Sequence, residues 1–440
     1  MSRKLFGTDG IRGKAGDPPL DRRHAFALGV ALAGWIHDRQ LHPSVVIGMD
    51  TRESGPWLAG AVAQGLRSRN VTADFAGVVT TPGVAFLART GDYAAGVMIS
   101  ASHNPFEDNG IKVIDHSGYK LPDEDELGLE TAMFAWLERG DTACDEILVA
   151  DESLDRKYIA FLESTITERL DGLHLVIDCS NGAASKLAPT LFAELGARVT
   201  AIGNTPDGRN INLNCGSLHL EFLREHVLAA KADLGIAFDG DADRALFVTG
   251  AGKIVDGDAV MLVTGVAMKV KTVVATVMSN LGLQKALAEH GIEMIRANVG
   301  DKYVLEEMKK RDLMLGGEQS GHIIFRDYST AGDGMLTALR VLSVVKQSGK
   351  TLDELTAGLT EYPQVLVNVR VKERKPLSDL PLVRAQMDAA ESAFGETGRI
   401  LVRFSGTEPL ARVMIEGADR EMVDMWAHRI ADTIKQELGG

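Results

Sequence analysis

The chain has 440 residues, 45% hydrophobic and 25% charged, a composition that supports several buried cores and excludes a disordered chain; length alone suggests roughly three to four domains. With 61 acidic against 47 basic residues it carries a net charge of −14, which argues against general binding to nucleic acid or an anionic membrane and requires any anion site to be locally basic. Cys144, Cys179 and Cys215 form no CxxC pair, the start has no signal-like apolar core, and no segment approaches ~18 apolar residues, so a cytoplasmic protein is expected.

In chain order, "FGTDGIRG" comes first and sets Thr8, Asp9 and Arg12 between glycines; a floppy terminus would not need that turn or that arginine. "VVIGMDTRESG" then reads as a strand and loop leading into a helix with Trp57, Leu58, Ala61, Val62 and Leu66 on one face. A second apolar run, "AGVMISASHN", ends in hydroxyls, an imidazole and an amide instead of a plain turn. The same order recurs: "HLVIDCSNGAA" precedes a helix carrying Leu187, Leu191 and Leu195, and "LGIAFDGDADR" follows. It recurs once more, with "TVVATVMSNLG", a helix carrying Leu283 and Leu287 that stops at Gly291, and "LMLGGEQSGH". Strands alternating with amphipathic helices predict three similar α/β modules with mixed or parallel sheets. Ligands of open α/β sheets bind beyond the carboxyl ends of strands, so three equivalent loops can line one central cleft.

The tail has a different pattern. "QVLVNVRV" reads as a strand, "KERKPLSDLP" as a charged, proline-bearing linker, and a helix, two strands ("GRILVRFSG", "ARVMIEGA") and a last helix complete a smaller α+β domain. The predicted division is residues 1–153, 154–254, 255–365 and 366–440.

The loops carry the chemistry. "DGDADR" sets Asp239, Asp241 and Asp243 at alternate positions directly after a strand, where three carboxylates repel one another unless a cation neutralises them. Oxygen ligands with no His or Cys nearby suit Mg²⁺. An EF-hand is excluded, because Arg244 and Gly250 stand where its glycine and glutamate belong. Ser100 and Ser102 have the residue type of turn formers, but a metal supplied by the neighbouring module would favour phosphoryl chemistry on a serine. "GGEQSGH" offers Glu318, Ser320 and His322 on a glycine-flanked loop suited to sugar hydroxyls. "RFSGTEP" sets Arg403 ahead of Ser405, Gly406 and Thr407, with Arg412 close behind, which has the composition of a phosphate cradle.

In their order, "FGTDGIRG", "SASHNP", "DGDADR", "GEQSGH" and "RxSGTEP" resemble the α-D-phosphohexomutase superfamily over essentially the whole chain, and within it the members acting on glucosamine phosphates. The resemblance implies four domains around one cleft and a phosphoserine at Ser102, with Mg²⁺ held by Asp239, Asp241, Asp243 and that phosphoserine. It implies a sugar-binding loop at Glu318 and Ser320 and a phosphate site at Arg403, Ser405, Gly406, Thr407 and Arg412. Lys112, His322 and Arg12 are implied as the acid–base groups. The implied reaction interconverts glucosamine 6-phosphate and glucosamine 1-phosphate through glucosamine 1,6-bisphosphate, feeding UDP-N-acetylglucosamine and cell-wall precursor synthesis. The expected partner is a small sugar phosphate, with no nucleic acid and no membrane; a homodimer is allowed for.

Two rivals are weighed. A sister mutase for mannose or glucose phosphates would share the loops, but "GEQSGH" in place of "GEMSGH", together with "FGTDGIRG", favours glucosamine. A non-catalytic sugar-phosphate sensor would need neither Ser102 nor the intact aspartates. The departures from the family pattern are Phe404, where proline is frequent, and Leu213, Asn214 and Leu218 in "NINLNCGSLH".

Overall fold

The strands Ala95–Ile99, His174–Asp178, Leu234–Phe238 and Ala245–Thr249 are buried along their whole length, as strands are when a sheet is covered on both faces. The structure is a computed structural model that describes residues 4–7, 9–139, 147–373, 375–405 and 409–439. The chain divides into two compact units, one of residues 1–277 with 295–356, the other of residues 278–294 with 357–440.

The first unit holds three sheets. In the first, Ser44–Met49 lies between Thr72–Val78 and Ala95–Ile99 and runs parallel to both, and Asp108–Asp115 pairs antiparallel with Ala95–Ile99. In the second, His174–Asp178 lies between Arg198–Ile202 and Leu234–Phe238, again parallel to both, and Ala245–Thr249 turns back antiparallel on Leu234–Phe238. In the third, Thr272–Thr276 lies between Glu293–Ala297 and Leu315–Gly317, and Ile323–Phe325 turns back antiparallel on Leu315–Gly317.

One plan is thus used three times: the first strand of each module is internal, the next two flank it, and the fourth reverses. The sheets are mixed because a connection of a few residues can join only antiparallel neighbours. "SASHNP", "DGDADR" and "EQSGH" all occupy that reversing connection, one topological position in three modules. A side-chain device repeats too. Asp50 Oδ1 accepts from Arg52 N (3.0 Å) and Asp178 Oδ1 from Ser180 N (2.9 Å), the same Asx turn at the ends of the internal strands of the first two modules.

"FGTDGIRG" is not a loose start. Phe6–Gly7 and Gly10–Lys14 form a hairpin that extends the first sheet, with Arg12 opposite Gly110; Thr8 lies outside the described residues.

The second unit has a three-stranded antiparallel sheet in the order Gln364–Arg370, Leu410–Gly417, Gly398–Phe404. Helices Pro381–Phe394 and Arg420–Leu438 contribute Val383, Phe394, Val423, Ile430 and Ile434 to a core shared with Val402, Val413 and Ile415. The helix Leu281–Glu289 belongs to this unit: Leu281 N donates to the buried carboxylate of Glu416 (2.7 Å), which also pairs with Arg399 (2.8 Å). Among the described residues no helix is long and apolar enough to cross a membrane.

Candidate active site

The strand Ala95–Ile99 delivers the chain into Ser100, Ala101 and Ser102, and the two serines have different tasks. Ser100 Oγ donates to Asp50 Oδ2 (2.6 Å) and accepts from Ser102 N (3.0 Å), so it is the turn former. Ser102 takes the left-handed backbone conformation (φ +53°), which costs a residue with a Cβ about 1–2 kcal/mol. Its carbonyl is held by Arg52 Nη2 and Asn212 Nδ2, both at 2.9 Å, and Arg52 is itself paired with Asp50 (3.0 Å) out of contact with solvent. The result is a buried Ser102 whose Oγ donates to Asp239 Oδ2 at 2.6 Å.

"DGDADR" packs against this loop without clearance. A Cβ on Gly240 would lie 2.4 Å from Ser102 O, so only glycine allows the approach. The next loop along is joined as well, since Ala242 O accepts from Gly334 N (3.0 Å) and Gly321 O from Ala245 N (3.1 Å). The three reversing loops therefore meet.

Asp239, Asp241 and Asp243 are buried with one carboxylate oxygen from each within 4.8 Å of the others. Asp241 Oδ2 accepts from Thr81 Oγ1 and from Lys112 Nζ (2.9 Å), while Asp241 Oδ1 and Asp243 Oδ1 are buried and accept no hydrogen bond. Burial, reinforced by Asp243 and Asp241, drives the Asp239 carboxyl well above the usual range. Burial also works to raise Asp241, but Lys112 and Thr81 outweigh it and hold it down. Lys112 is buried between Asp241 and Asp9 (3.2 Å); burial alone would lower its pKa, and the carboxylates lift it above the ordinary lysine value instead. Lys112 is hydrogen-bonded to the triad, Arg244 Nε and His322 Nδ1 lie at 3.8 and 3.5 Å from Asp243 Oδ1, and Asp241 Oδ1 accepts no hydrogen bond, so three clustered carboxylates with open oxygen positions fit a hard divalent cation of the Mg²⁺ type.

A cavity of about 400 Å³ opens beside the triad, lined in part by Arg12, Ser102, His103, Asp243, Arg244, Glu318 and His322. Arg12 pairs with Asp9. Glu318 Oε1 accepts from Gly300 N (3.0 Å), and Oε2 faces Ser320 Oγ at 3.4 Å. His322 Nε2 accepts from Gly332 N (3.1 Å), which in the neutral ring leaves the proton on Nδ1, 3.5 Å from Asp243 Oδ1. Burial works to lower the His322 pKa, but Asp243, Asp301 and Glu318 carry it up to about 9.

In the second unit Arg403 and Arg412 stand directly opposite each other on adjacent antiparallel strands, hence on one face. Like charges directly opposite each other repel, and a phosphate between them would offset that repulsion. Burial, and then Arg412, lowers the Arg403 pKa. Ser405 follows, its N–H bonded to Leu410 O (2.8 Å); Gly406 and Thr407 lie outside the described residues.

The motifs left several participants unmarked. Arg52 and Asn212 hold the Ser102 carbonyl, Thr81 binds Asp241, and Lys120, Arg244 and Asp301 line the cavity. Arg244 had a local signal as the last residue of "DGDADR", and Asp301 follows a glycine, Gly300, which takes a φ of +125°. Of the departures noted in sequence, Leu213 and Leu218 are exposed.

The phosphoglucomutase/phosphomannomutase family supplies matches along the chain: its alpha/beta/alpha domains I, II and III match residues 3–139, 156–252 and 256–362, and its C-terminal domain residues 366–433. A phosphoglucosamine mutase of Solibacter usitatus is 56% identical with all of both chains covered, and one of Koribacter versatilis is 49% identical over 99% of this chain and 98% of its own. Among solved structures, a phosphoglucomutase/phosphomannomutase family protein of Burkholderia thailandensis superposes with a TM-score of 0.82 at 24% identity, covering 98% of this chain and 97% of its own. N-acetylphosphoglucosamine mutase of Aspergillus fumigatus, solved with GlcNAc-6P and magnesium, superposes at 0.63 and 19% identity, covering 99% and 96%.

Proposed function

The chain belongs to the phosphoglucomutase/phosphomannomutase family, and from that membership we propose that it is a cytoplasmic phosphohexomutase interconverting glucosamine 6-phosphate and glucosamine 1-phosphate. The observation that carries the reading is the buried Ser102 Oγ, 2.6 Å from the first of three clustered aspartates at the edge of a cavity. A sugar-phosphate sensor would need no hydroxyl there. We read the division as four domains, 1–153, 154–254, 255–365 and 366–440, a reading supported by family domain matches at 3–139, 156–252, 256–362 and 366–433.

In this reading Ser102 carries a phosphoryl group. The Oγ–P bond breaks as the C1 hydroxyl oxygen of glucosamine 6-phosphate bonds to phosphorus, and that hydroxyl gives its proton to a base. The product is glucosamine 1,6-bisphosphate. After it turns over, its 6-phosphoryl group returns to Ser102 Oγ, the C6 oxygen takes a proton, and glucosamine 1-phosphate leaves. Asp239, Asp241 and Asp243, with a phosphate oxygen on Ser102, would hold Mg²⁺, which supplies positive charge to offset that of the moving phosphoryl group. We assign proton exchange to His322, which lines the cavity and has its pKa carried to about 9 by carboxylates that a cation would partly neutralise. Lys112, behind Asp241 with its charge fixed, orients that carboxylate; Arg12, on the cavity wall, faces the reacting phosphate.

Glu318 and Ser320 are read as the partners of the sugar. A carboxylate near C2 favours a protonated amine over a hydroxyl, and one charge-assisted hydrogen bond is worth about 1.5–3 kcal/mol, roughly tenfold to a hundredfold. The kcat/KM for glucosamine 6-phosphate should therefore exceed those for glucose 6-phosphate and mannose 6-phosphate by about that factor. A better rate with either of the others would favour the sister-mutase reading.

Arg403, Ser405, Gly406, Thr407 and Arg412 are read as binding the phosphate that is not reacting. Arg403→Ala is expected to raise KM by roughly tenfold to a hundredfold for the 6-phosphate, and likewise for the 1-phosphate in the reverse direction. Forward and reverse kinetics check this; a change in one direction alone would limit the cradle to one orientation.

A further inference from the structure

Lys120 carries no motif, yet its ammonium occupies a singular place. It contacts Asp9 Oδ1 and lies 2.7 Å from Asp301 Oδ2. Asp9 Oδ2 is 3.2 Å from Lys112 Nζ, which is 2.9 Å from Asp241. On the other side Asp301 Oδ2 is 3.9 Å from His322 Nε2, and His322 Nδ1 is 3.5 Å from Asp243. Read in order, Asp241, Lys112, Asp9, Lys120, Asp301, His322 and Asp243 form a chain that leaves the aspartate cluster on one side and returns to it on the other. Lys120 is its midpoint, and it links the N-terminal hairpin to the third module.

We propose that Lys120 is a positioning residue for the mutase reaction, its ammonium fixing Asp9 and Asp301 and through them both Lys112 and His322. Without that charge, two carboxylates that now share one cation would face each other and repel. Asp9 would then be left with Arg12 and Lys112, and Asp301 with Lys302 N (2.8 Å) and, at 3.9 Å, His322, so neither carboxylate would keep the cation that joins the two arms of the site. The backbone of Lys120 does not depend on the ammonium: Thr330 Oγ1 donates to Gly118 O (2.6 Å), and Lys309 Nζ lies 3.3 Å from the Tyr119 ring centre. Burial works to lower the Lys120 pKa, but Asp301 and Asp9 raise it above the ordinary value, so the ammonium is charged at neutral pH.

The inference rests on the mutase reading, and steady-state kinetics with glucosamine 6-phosphate separates the two. Wild-type protein without mutase activity on any hexose phosphate would overturn the reading beneath. With active wild type, Lys120→Met should lower kcat by roughly tenfold to a hundredfold, as misplacement of a reacting group by about 1 Å does. KM should stay within about threefold, because the effect is on geometry and not on ground-state binding. Lys120→Arg, which keeps the charge, should recover several-fold of the loss. Lys120→Gln, measured in parallel, serves if the methionine variant does not fold, with the same loss expected. An unchanged kcat in the neutral variants, a raised KM at constant kcat, or an arginine variant no better than methionine would each overturn the proposal.

Discussion

Ser102→Ala is expected to fold as the wild type does and to lose mutase activity by at least about 10³-fold, since no other group can replace a covalent carrier. Alanine meets the same backbone demand as serine at φ +53°, because both have a Cβ, and the Arg52 and Asn212 bonds to the carbonyl survive the change. What is removed is the Oγ and its bond to Asp239, worth about 0.5–1.5 kcal/mol in stability. A large loss of activity with a small loss of stability is therefore the signature. Intact-mass spectrometry and peptide mapping of active wild type should place a phosphoryl group on Ser102, and the variant should lack it. Activity retained by a pure Ser102→Ala preparation would end the mechanism.

The second large effect concerns the cation. Chelation with EDTA should abolish turnover, and added Mg²⁺ should restore it. Asp241→Asn should lower kcat by roughly 10²- to 10⁴-fold, the several kcal/mol that a metal contributes to a charged transition state. Asparagine can keep the contact with Thr81, and Lys112 retains Asp9 as partner, so the local structure has support without the carboxylate. Lys112 and Thr81 hold the Asp241 carboxylate charged, so its removal costs the buried Lys112 one of its two carboxylates, and the metal-free variant should stay folded but lose some heat resistance, which differential scanning calorimetry reads directly. Full activity in EDTA would contradict the assignment of "DGDADR", and a variant already unfolded at the assay temperature would make Asp241 a structural residue.

The chemistry was legible where it is contiguous. Ser102, the three aspartates and the Glu318 loop each sit in a short string whose residue types are hard to explain as plain turns, and periodicity placed those strings after buried strands. The three modules were legible as a repeated order of elements, although Asp50 and Asp178, which repeat the same turn, share no obvious surrounding sequence. Features that depend on register were not legible. Arg403 and Arg412 are eight residues from meeting in the sequence and become opposed only when the strand Leu410–Gly417 pairs back on Gly398–Phe404. Lys120 reads as one more lysine in a turn until Asp9 and Asp301 arrive from segments far away in the chain. Arg52 looks like a surface residue in "DTRESG", and it is fully buried because its guanidinium replaces water for a set of loop carbonyls. Burial of charge is decided by partners, and the partners here lie far away in the chain.

The absence of clearance between Gly240 and the Ser102 carbonyl bears on what happens when turnover fails. In the proposed reaction a donor clamped in this way could not follow its substrate, so the sugar would have to present first one end and then the other to a stationary serine. Midway through that cycle the protein would have given up its phosphoryl group and the ligand would hold both. A bisphosphate that escapes at that moment leaves behind a disarmed enzyme, unable to start another cycle on a monophosphate. Each early departure would therefore create one idle molecule and one free molecule able to re-arm it, and the working fraction would follow how much bisphosphate the surroundings retain.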